Sequence, residues 1–252
     1  IHAGRGGEIW VGTRNGLDRI DRLEPTVHAL THSPGDTNGL LHASVTALIE
    51  DLQGRIWIGS PSGLTIWDRA KDSFRHLRHD PINPGSLGAD YVLSLAMDGQ
   101  GRILVGTLGG GLNEVVERDG KIEIKRHRPV GLDDPRRADI VHHILPTADG
   151  TVWLATGGAG LCRLNSATGE LSCQGPTGGS DGPSHPYLFT LLKDDAGYLW
   201  TGTAGGGLLL RSPDGSFGTV KHEPEDMGSL SADLVLCLYQ DPKGRLWAGT
   251  VN

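Results

Sequence analysis

Several features are missing from this 252-residue chain. No segment approaches the ~18 consecutive apolar residues that a membrane-crossing helix needs, and no signal-peptide pattern is present. No stretch keeps a 3.6-residue apolar period long enough for a helix, which leaves an all-β chain. Basic residues do not cluster beyond the Arg136–Arg137 pair and the formal net charge is −7, so nucleic acid is not an expected partner. The Gly-rich segments 108–111, 157–160 and 204–207 lack the Lys and the following helix of a phosphate cradle. No nucleophile sits in a recognisable elbow, and no acid pair stands apart from the repeat described next.

What is present is one phrase, written six times. It reads GEIWVGT at 7–13, GRIWIGS at 54–60, GRILVGT at 101–107, GTVWLAT at 150–156, GYLWTGT at 197–203 and GRLWAGT at 244–250. Its anchors, Trp10, Trp57, Leu104, Trp153, Trp200 and Trp247, are spaced by 47, 47, 49, 47 and 47 residues. A fixed period of this size marks a repeat architecture. In the second copy, 45–50 (VTALIE) reads as a strand and 51–54 (DLQG) as a tight turn. Residues 55–59 (RIWIG) read as a strand buried on both faces, 64–68 (LTIWD) as a third strand and 74–78 (FRHLR) as an outer, half-solvated one.

Four short strands every 40–50 residues describe a β-propeller blade. The expected fold is therefore all-β: a propeller of four-stranded antiparallel blades, about five blades' worth. Blades are expected at 44–79, 91–127, 140–174 and 187–222, with partial blades at 1–31 and 234–252. The repeated Trp should wedge between blades, and Leu104, which replaces one, should leave its junction less filled. Asp51, Asp98, Asp194 and Asp241 each precede a turn Gly by three residues. They are expected to accept backbone N–H bonds while the Gly takes positive φ, so they read as scaffold rather than as catalytic acids. The fourth copy shifts its acid to Asp149.

The pattern resembles the two-component regulator propeller repeat. The residues that carry the likeness are DLQGRIWIGSPSGL at 51–64, DGQGRILVGTLGGGL at 98–112 and DDAGYLWTGTAGGGL at 194–208. The loops HDPINPGSLGADYV at 79–92 and HEPEDMGSLSADLV at 222–235 are similar to the family's inter-blade segment. Departures are Leu104 for Trp, Ala155 for Gly, and a rewritten loop at 174–187. The resemblance implies the sensor region of a bacterial signalling protein. It would lie in the periplasm as part of an inner-membrane protein and feed a hybrid histidine kinase or diguanylate cyclase. It also implies oligosaccharides among the ligand classes, and a parent ring of about seven blades. The chain begins partway through a repeat and ends just after a second-strand copy, so a fragment of a larger array is expected. Pairing of 234–239 with 8–12 would instead indicate a five-bladed ring.

Cys162 and Cys173 lie on adjacent strands about a turn centred on 167–168, which places them directly opposite. A cross-strand disulfide, suited to an oxidising compartment, and two buried thiols are equal readings. Cys237, in an apolar inner strand, is expected in the core. His32, His79, His127 and His222 recur near loop starts, but equivalent outer positions on successive blades diverge, so loop packing is expected in place of a metal site. No cofactor is expected. His142 and His143 are adjacent on an inner strand and face opposite sides.

The candidate functional face carries the inter-blade loops and Gly-rich turns. Asp90, Asp139 and Asp233 align just before the innermost strand, Tyr91 and Tyr187 follow at the next aligned position, and Arg137, His142 and His185 lie nearby in sequence. Carboxylates and aromatic faces at a channel mouth suit a polyhydroxylated ligand. The alternative is that these Asp close loops and these Tyr pack between blades. The expected role is ligand sensing without catalysis. The partners would be an oligosaccharide or other small ligand, the parent's output module and a second copy, with no membrane contact by this segment. A protein-interaction scaffold and a propeller lyase or hydrolase are the alternatives.

Overall fold

Short apolar strands separated by Gly turns pair with their sequence neighbours throughout the computed structural model, which describes residues 1–23, 26–177 and 181–251. Glu24 and Pro25 of the expected first partial blade, residues 178–180 of the rewritten loop and Asn252 of the last partial blade lie outside the described residues.

The chain divides into two compact units, Ile1–His127 and Arg128–Asn252. The first holds three antiparallel four-stranded meanders. Blade 1 is His2–Ala3, Ile9–Thr13, Gly16–Ile20 and Val27–Leu30; blade 2 is Ala47–Glu50, Ile56–Ser60, Gly63–Asp68 and Ser73–Leu77; blade 3 is Val92–Met97, Ile103–Thr107, Leu112–Arg118 and Lys121–His127. In the second unit, blade 4 is Val141–Pro146, Thr151–Thr156, Leu161–Asn165 and Leu171–Gln174, and blade 5 is Leu188–Lys193, Leu199–Thr203, Leu208–Arg211 and Phe217–Val220. A final pair, Val235–Gln240 with Leu246–Thr250, forms a two-stranded sheet. Blade 4 has one addition that the repeat does not announce: Pro129–Val130 pairs parallel to Leu171–Gln174 as a fifth strand. The fold is an all-β propeller assembly of four-stranded antiparallel blades.

Burial follows the repeat. All five residues of Ile56–Ser60 are buried, as a strand covered on both faces requires. Trp10 packs with Leu40, Ile56 and Ile58, so it fills the blade 1 to blade 2 junction; Trp57 packs with Val92, Ile103 and Val105 and fills the next. In the second unit Trp153 packs against Leu188, Leu191 and Leu199. Leu104 is itself fully buried.

In blades 2 to 5 and in the final pair, the turn before the second strand works as a latch. Asp51 Oδ1 accepts the backbone N–H groups of Gln53 and Arg55, while Oδ2 accepts Arg55 Nε and the indole N–H of Trp57 at 2.7 Å. Asp194 repeats the indole bond to Trp200 at 2.8 Å and Asp241 to Trp247 at 3.2 Å. Asp98 keeps the backbone and Arg102 bonds, but with Leu104 beyond it there is no indole to hold. Asp149, the shifted acid of blade 4, accepts from Thr147 Oγ1 and Thr151 N, and these bonds hold its carboxyl down to about 2. Gly54, at φ +76°, supplies the left-handed residue that closes the turn.

The cysteines separate. Cys162 and Cys173 are register partners and form a disulfide. Cys237 is a correction: it is exposed, not in the core. Its sheet has two strands among the described residues, on which Leu236, Tyr239 and Trp247 stand 49%, 60% and 55% exposed. An apolar strand is buried only if a neighbouring layer covers it.

Candidate ligand-binding loop face

The inter-blade loops are built alike, and this explains the recurring histidines. In the first unit the His79 ring donates from Nδ1 to Leu87 O at 2.7 Å, and its backbone N–H donates to Asp90 Oδ1 at 2.6 Å. In the second unit His222 does the same with Leu230 O at 2.5 Å and Asp233 Oδ1 at 2.7 Å. A carbonyl only accepts, so each Nδ1 carries the proton. Ser86 and Ser229 complete their loops by accepting from the backbone N–H of Asp80 and Glu223. His32 makes the equivalent bond to Leu40 O at 2.6 Å. His127 departs: its Nε2 lies 2.8 Å from Glu114 Oε2 in a buried pair. Among the described residues no group of three His, Cys, Asp or Glu could hold a metal ion.

Asp90 and Asp233 therefore each commit one carboxylate oxygen to loop closure. Asp139 has the same separation from Arg128, but closes its loop with a side-chain ion pair to that guanidinium. The alignment of the next position is exact in hydrogen bonding: the carbonyls of Tyr91, Ile140, Tyr187 and Leu234 accept the N–H of Leu108, Gly157, Ala204 and Val251. The Tyr91 and Tyr187 rings do not pack between blades; they stand 38% and 51% exposed.

In the second unit these groups form two ring pairs. His142 sits at a β-bulge and meets Phe189, at the corresponding bulge of blade 5, edge-on at 4.9 Å. His185 accepts the Tyr187 N–H at Nδ1, and the two rings lie 5.9 Å apart. Gly157 bridges to Tyr187 and has no room for a side chain: a Cβ there would come 2.9 Å from Ile140 Cγ2 and 3.1 Å from His142 Nε2. Arg137 Nε donates to Gly158 O, which ties the guanidinium to the same Gly-rich turn and leaves its other N–H groups for a ligand. Burial lowers the pKa of both His142 and His143, so both rings are neutral near pH 7. His143 faces the other way, with Nδ1 accepting the Leu191 N–H.

Two residues of this face escape a reading of the sequence. Phe189 lies one period, 47 residues, after His142, and His42 is register-equivalent to His185, accepting the Ser44 N–H in the same manner. His42 also stacks with His32 at 6.4 Å. The repeat spacing is the signal that finds both: 47 residues separate His142 from Phe189, and 143, the sum of the 47, 49 and 47 spacings, separate His42 from His185.

Comparison with known proteins adds a likeness over the last repeat and a likeness of fold. Residues 229–252 match the two component regulator propeller family. No curated protein matches the chain in sequence. Among solved structures, the extracellular domain of BT3049 from B. thetaiotaomicron, assigned to a hybrid two component system, is 20% identical with a TM-score of 0.76, over 96% of this chain and 30% of that one. The extracellular domain of BT4673 from the same organism, assigned to a one component system, is 21% identical with a TM-score of 0.71, over 100% and 33%. PorZ, a surface component of the type-IX secretion system of Porphyromonas gingivalis, is 17% identical with a TM-score of 0.72, over 96% and 36%. At these identities the likeness is one of fold. The chain spans about a third of the length of each of these structures.

Proposed function

We propose that this chain, built of two-component regulator propeller repeats, is the ligand-sensing region of a bacterial transmembrane signalling protein, acting outside the cytoplasm and without catalysis. The observation that carries the reading is the repeat itself: six copies keep register, and the last matches the family model. The Cys162–Cys173 disulfide supports an oxidising compartment such as the periplasm. Among the described residues no helix is long and apolar enough to cross a membrane, so a membrane anchor and an output module, kinase or cyclase, would come from elsewhere in the parent.

The proposed binding surface is the loop face. The latch acids and loop histidines are occupied by the scaffold, whereas in the first unit the Tyr91 ring stands exposed, and in the second the Tyr187 ring stands exposed, Arg137 has N–H groups beyond the one it spends on Gly158 O, and the His142–Phe189 pair is half-buried. Aromatic faces that pack on sugar C–H surfaces, beside donors for hydroxyls, suit an oligosaccharide. Calorimetric titration of an oligosaccharide panel into the chain tests this. Binding that Tyr91→Ala or Tyr187→Ala weakens supports the reading; binding that neither variant changes refutes the face.

A further inference from the structure

One ladder position of the third strand covers the Trp of the preceding blade. In blade 2 it is Trp67, paired with Ile56 and Phe74. Its ring meets Trp10 edge-on at 5.8 Å and stacks on Phe74 at 5.6 Å. In blade 5 it is Arg211, paired with Leu199 and Phe217, with its guanidinium 5.1 Å from the Trp153 ring and 5.9 Å from Phe217. In blade 3 the same position holds Val115, between Ile103 and Ile124 and packed with Trp57. A planar group on an aromatic neighbour has been replaced by two aliphatic side chains.

The space is left open. The groove between blades 2 and 3, beside Val115, measures about 750 Å³; a gap of about 610 Å³ opens at the latch-turn end of blade 1, lined by Gly6, Gly7, Glu8, Asp21, Arg22 and Leu23, and about 140 Å³ is left beside Trp67. The groove beside Val115 is within the ~300–1,000 Å³ of small-molecule sites. A latch-end opening is common to both blades, so what sets the groove beside Val115 apart is its lining. The groove opens at the latch-turn ends of the strands, away from the loop face, and is lined by Ile103 and Val115.

Its mouth carries both signs of charge. Lys71, 77% exposed in its side chain, pairs with Asp68 at 2.9 Å, and Glu117 accepts from Arg55 at 2.9 Å. An exposed pair such as Lys71–Asp68 has little net worth and exchanges readily for a ligand's carboxylate. Glu117 is a third exposed; Arg55 takes one of its oxygens and Arg75 approaches the other at 3.8 Å, which leaves lone pairs for a further donor.

We infer that this groove binds an aromatic amino acid. The ring takes the place that Trp67 fills in the neighbouring junction, the α-carboxylate pairs with Lys71, and the α-ammonium pairs with Glu117. A ligand of one charge would meet its own sign at the mouth, and an uncharged ring would leave both groups without a new partner. The site is independent of the loop-face reading.

The test is titration of the whole chain, with labelled methyl groups, by L-tryptophan and L-phenylalanine. Saturable shifts of the Ile103 and Val115 methyls are expected. V115W, which gives blade 3 a group of the size blade 2 carries, is expected to abolish them. K71A, at an exposed position that leaves folding intact, is expected to weaken binding about tenfold. Absence of saturable methyl shifts with either amino acid overturns the site. Equal binding by uncharged indole, or an unchanged affinity in K71A, overturns the amino-acid assignment.

Discussion

Replacing Asp51 by Ala should cost far more than its single side chain suggests. The carboxylate is 2% exposed and accepts four bonds: two from backbone N–H groups at 2.9 Å, one from Arg55 Nε at 2.6 Å and one from Trp57 Nε1 at 2.7 Å. Water can reach the turn N–H groups, so their loss is about 1 kcal/mol in all. Arg55 keeps Glu117 at 2.9 Å, which limits its loss. Trp57 is 1% exposed, so its indole N–H is stranded at about 1–3 kcal/mol. With the unpaired part of the Arg55 charge the sum is about 3–5 kcal/mol, a large share of a typical ~5–15 kcal/mol stability. Asp241 makes the same four bonds, but its indole, Trp247, is 55% exposed, so water replaces what Asp241→Ala removes and the loss should be clearly smaller. Asp51→Asn, which keeps acceptor oxygen but no charge, should fall between wild type and Asp51→Ala. The assay is urea unfolding followed by Trp fluorescence, with native-state hydrogen exchange at Ile56–Ser60 to report blade 2 on its own. Equal losses for Asp51→Ala and Asp241→Ala would refute the argument that burial of the indole sets the cost.

Reducing the Cys162–Cys173 bond releases a loop closed over a sequence separation of 11. Chain entropy puts its contribution at about 2.8 kcal/mol, so the urea midpoint should drop on adding reductant and not drop in Cys162→Ala/Cys173→Ala; three thiols titrating in the unreduced, unfolded chain would contradict the bond. Burial lowers the pKa of His142 and His143, so the unfolded chain binds protons more readily than the folded one. Their contribution is whole above the unfolded value of ~6.5 and is lost as pH falls through the lowered folded values. The unfolding midpoint should therefore fall from pH 7 to pH 5, and ring titration of His143 at or above 6.5 would disprove the cause. Gly157→Val should disturb His142 and Ile140 by overpacking at about 1–3 kcal/mol; unperturbed His142 and Phe189 ring resonances in the variant would show that the turn has slack.

The scaffold was legible because its residues act through local backbone. An Asp three residues before a Gly can be recognised as a turn acid wherever it occurs, and Asp51 and Asp194 behave alike because the turn supplies its own donors. The Cys162–Cys173 registry followed from the turn centre for the same reason. What depended on a second layer was not legible. Cys237 stands on the rung that Ser94 and Thr190 hold in blades 3 and 5, where both are buried, but nothing in the strand states whether a layer lies over it. The parallel Pro129–Val130 strand belongs to a loop whose pairing is set by where its blade brings it. Asp90 and Asp233 could be aligned from sequence, yet an acid that accepts a loop N–H and one that accepts a ligand hydroxyl are written the same way. Phe189 reads as core until the bulge between Leu188 and Thr190 turns it outward beside His142.

Val115 is the extreme case. A Val in a strand calls for no explanation by itself. It acquires one only when the ladder sets it level with Trp67 and Arg211, because the vacancy belongs to the position and not to the residue. In a repeat protein the departures from the repeat are thus the informative positions, and they become visible only after the register is known. The same logic extends to Glu117, level with Arg69 one period earlier, where a guanidinium over Trp10 is exchanged for a carboxylate beside Arg55. Trp57 keeps a cation on its ring, Arg55 at 5.4 Å, but from its own blade, whereas the cap on Trp10 comes from Arg69 of the next blade. V115W alone should therefore close the groove without restoring the Arg69 type of cap, and V115W/E117R should come nearer to the blade 1 to blade 2 junction. A crystal structure of the double variant with the groove still open would mean that backbone divergence, and not these two side chains, sets its volume.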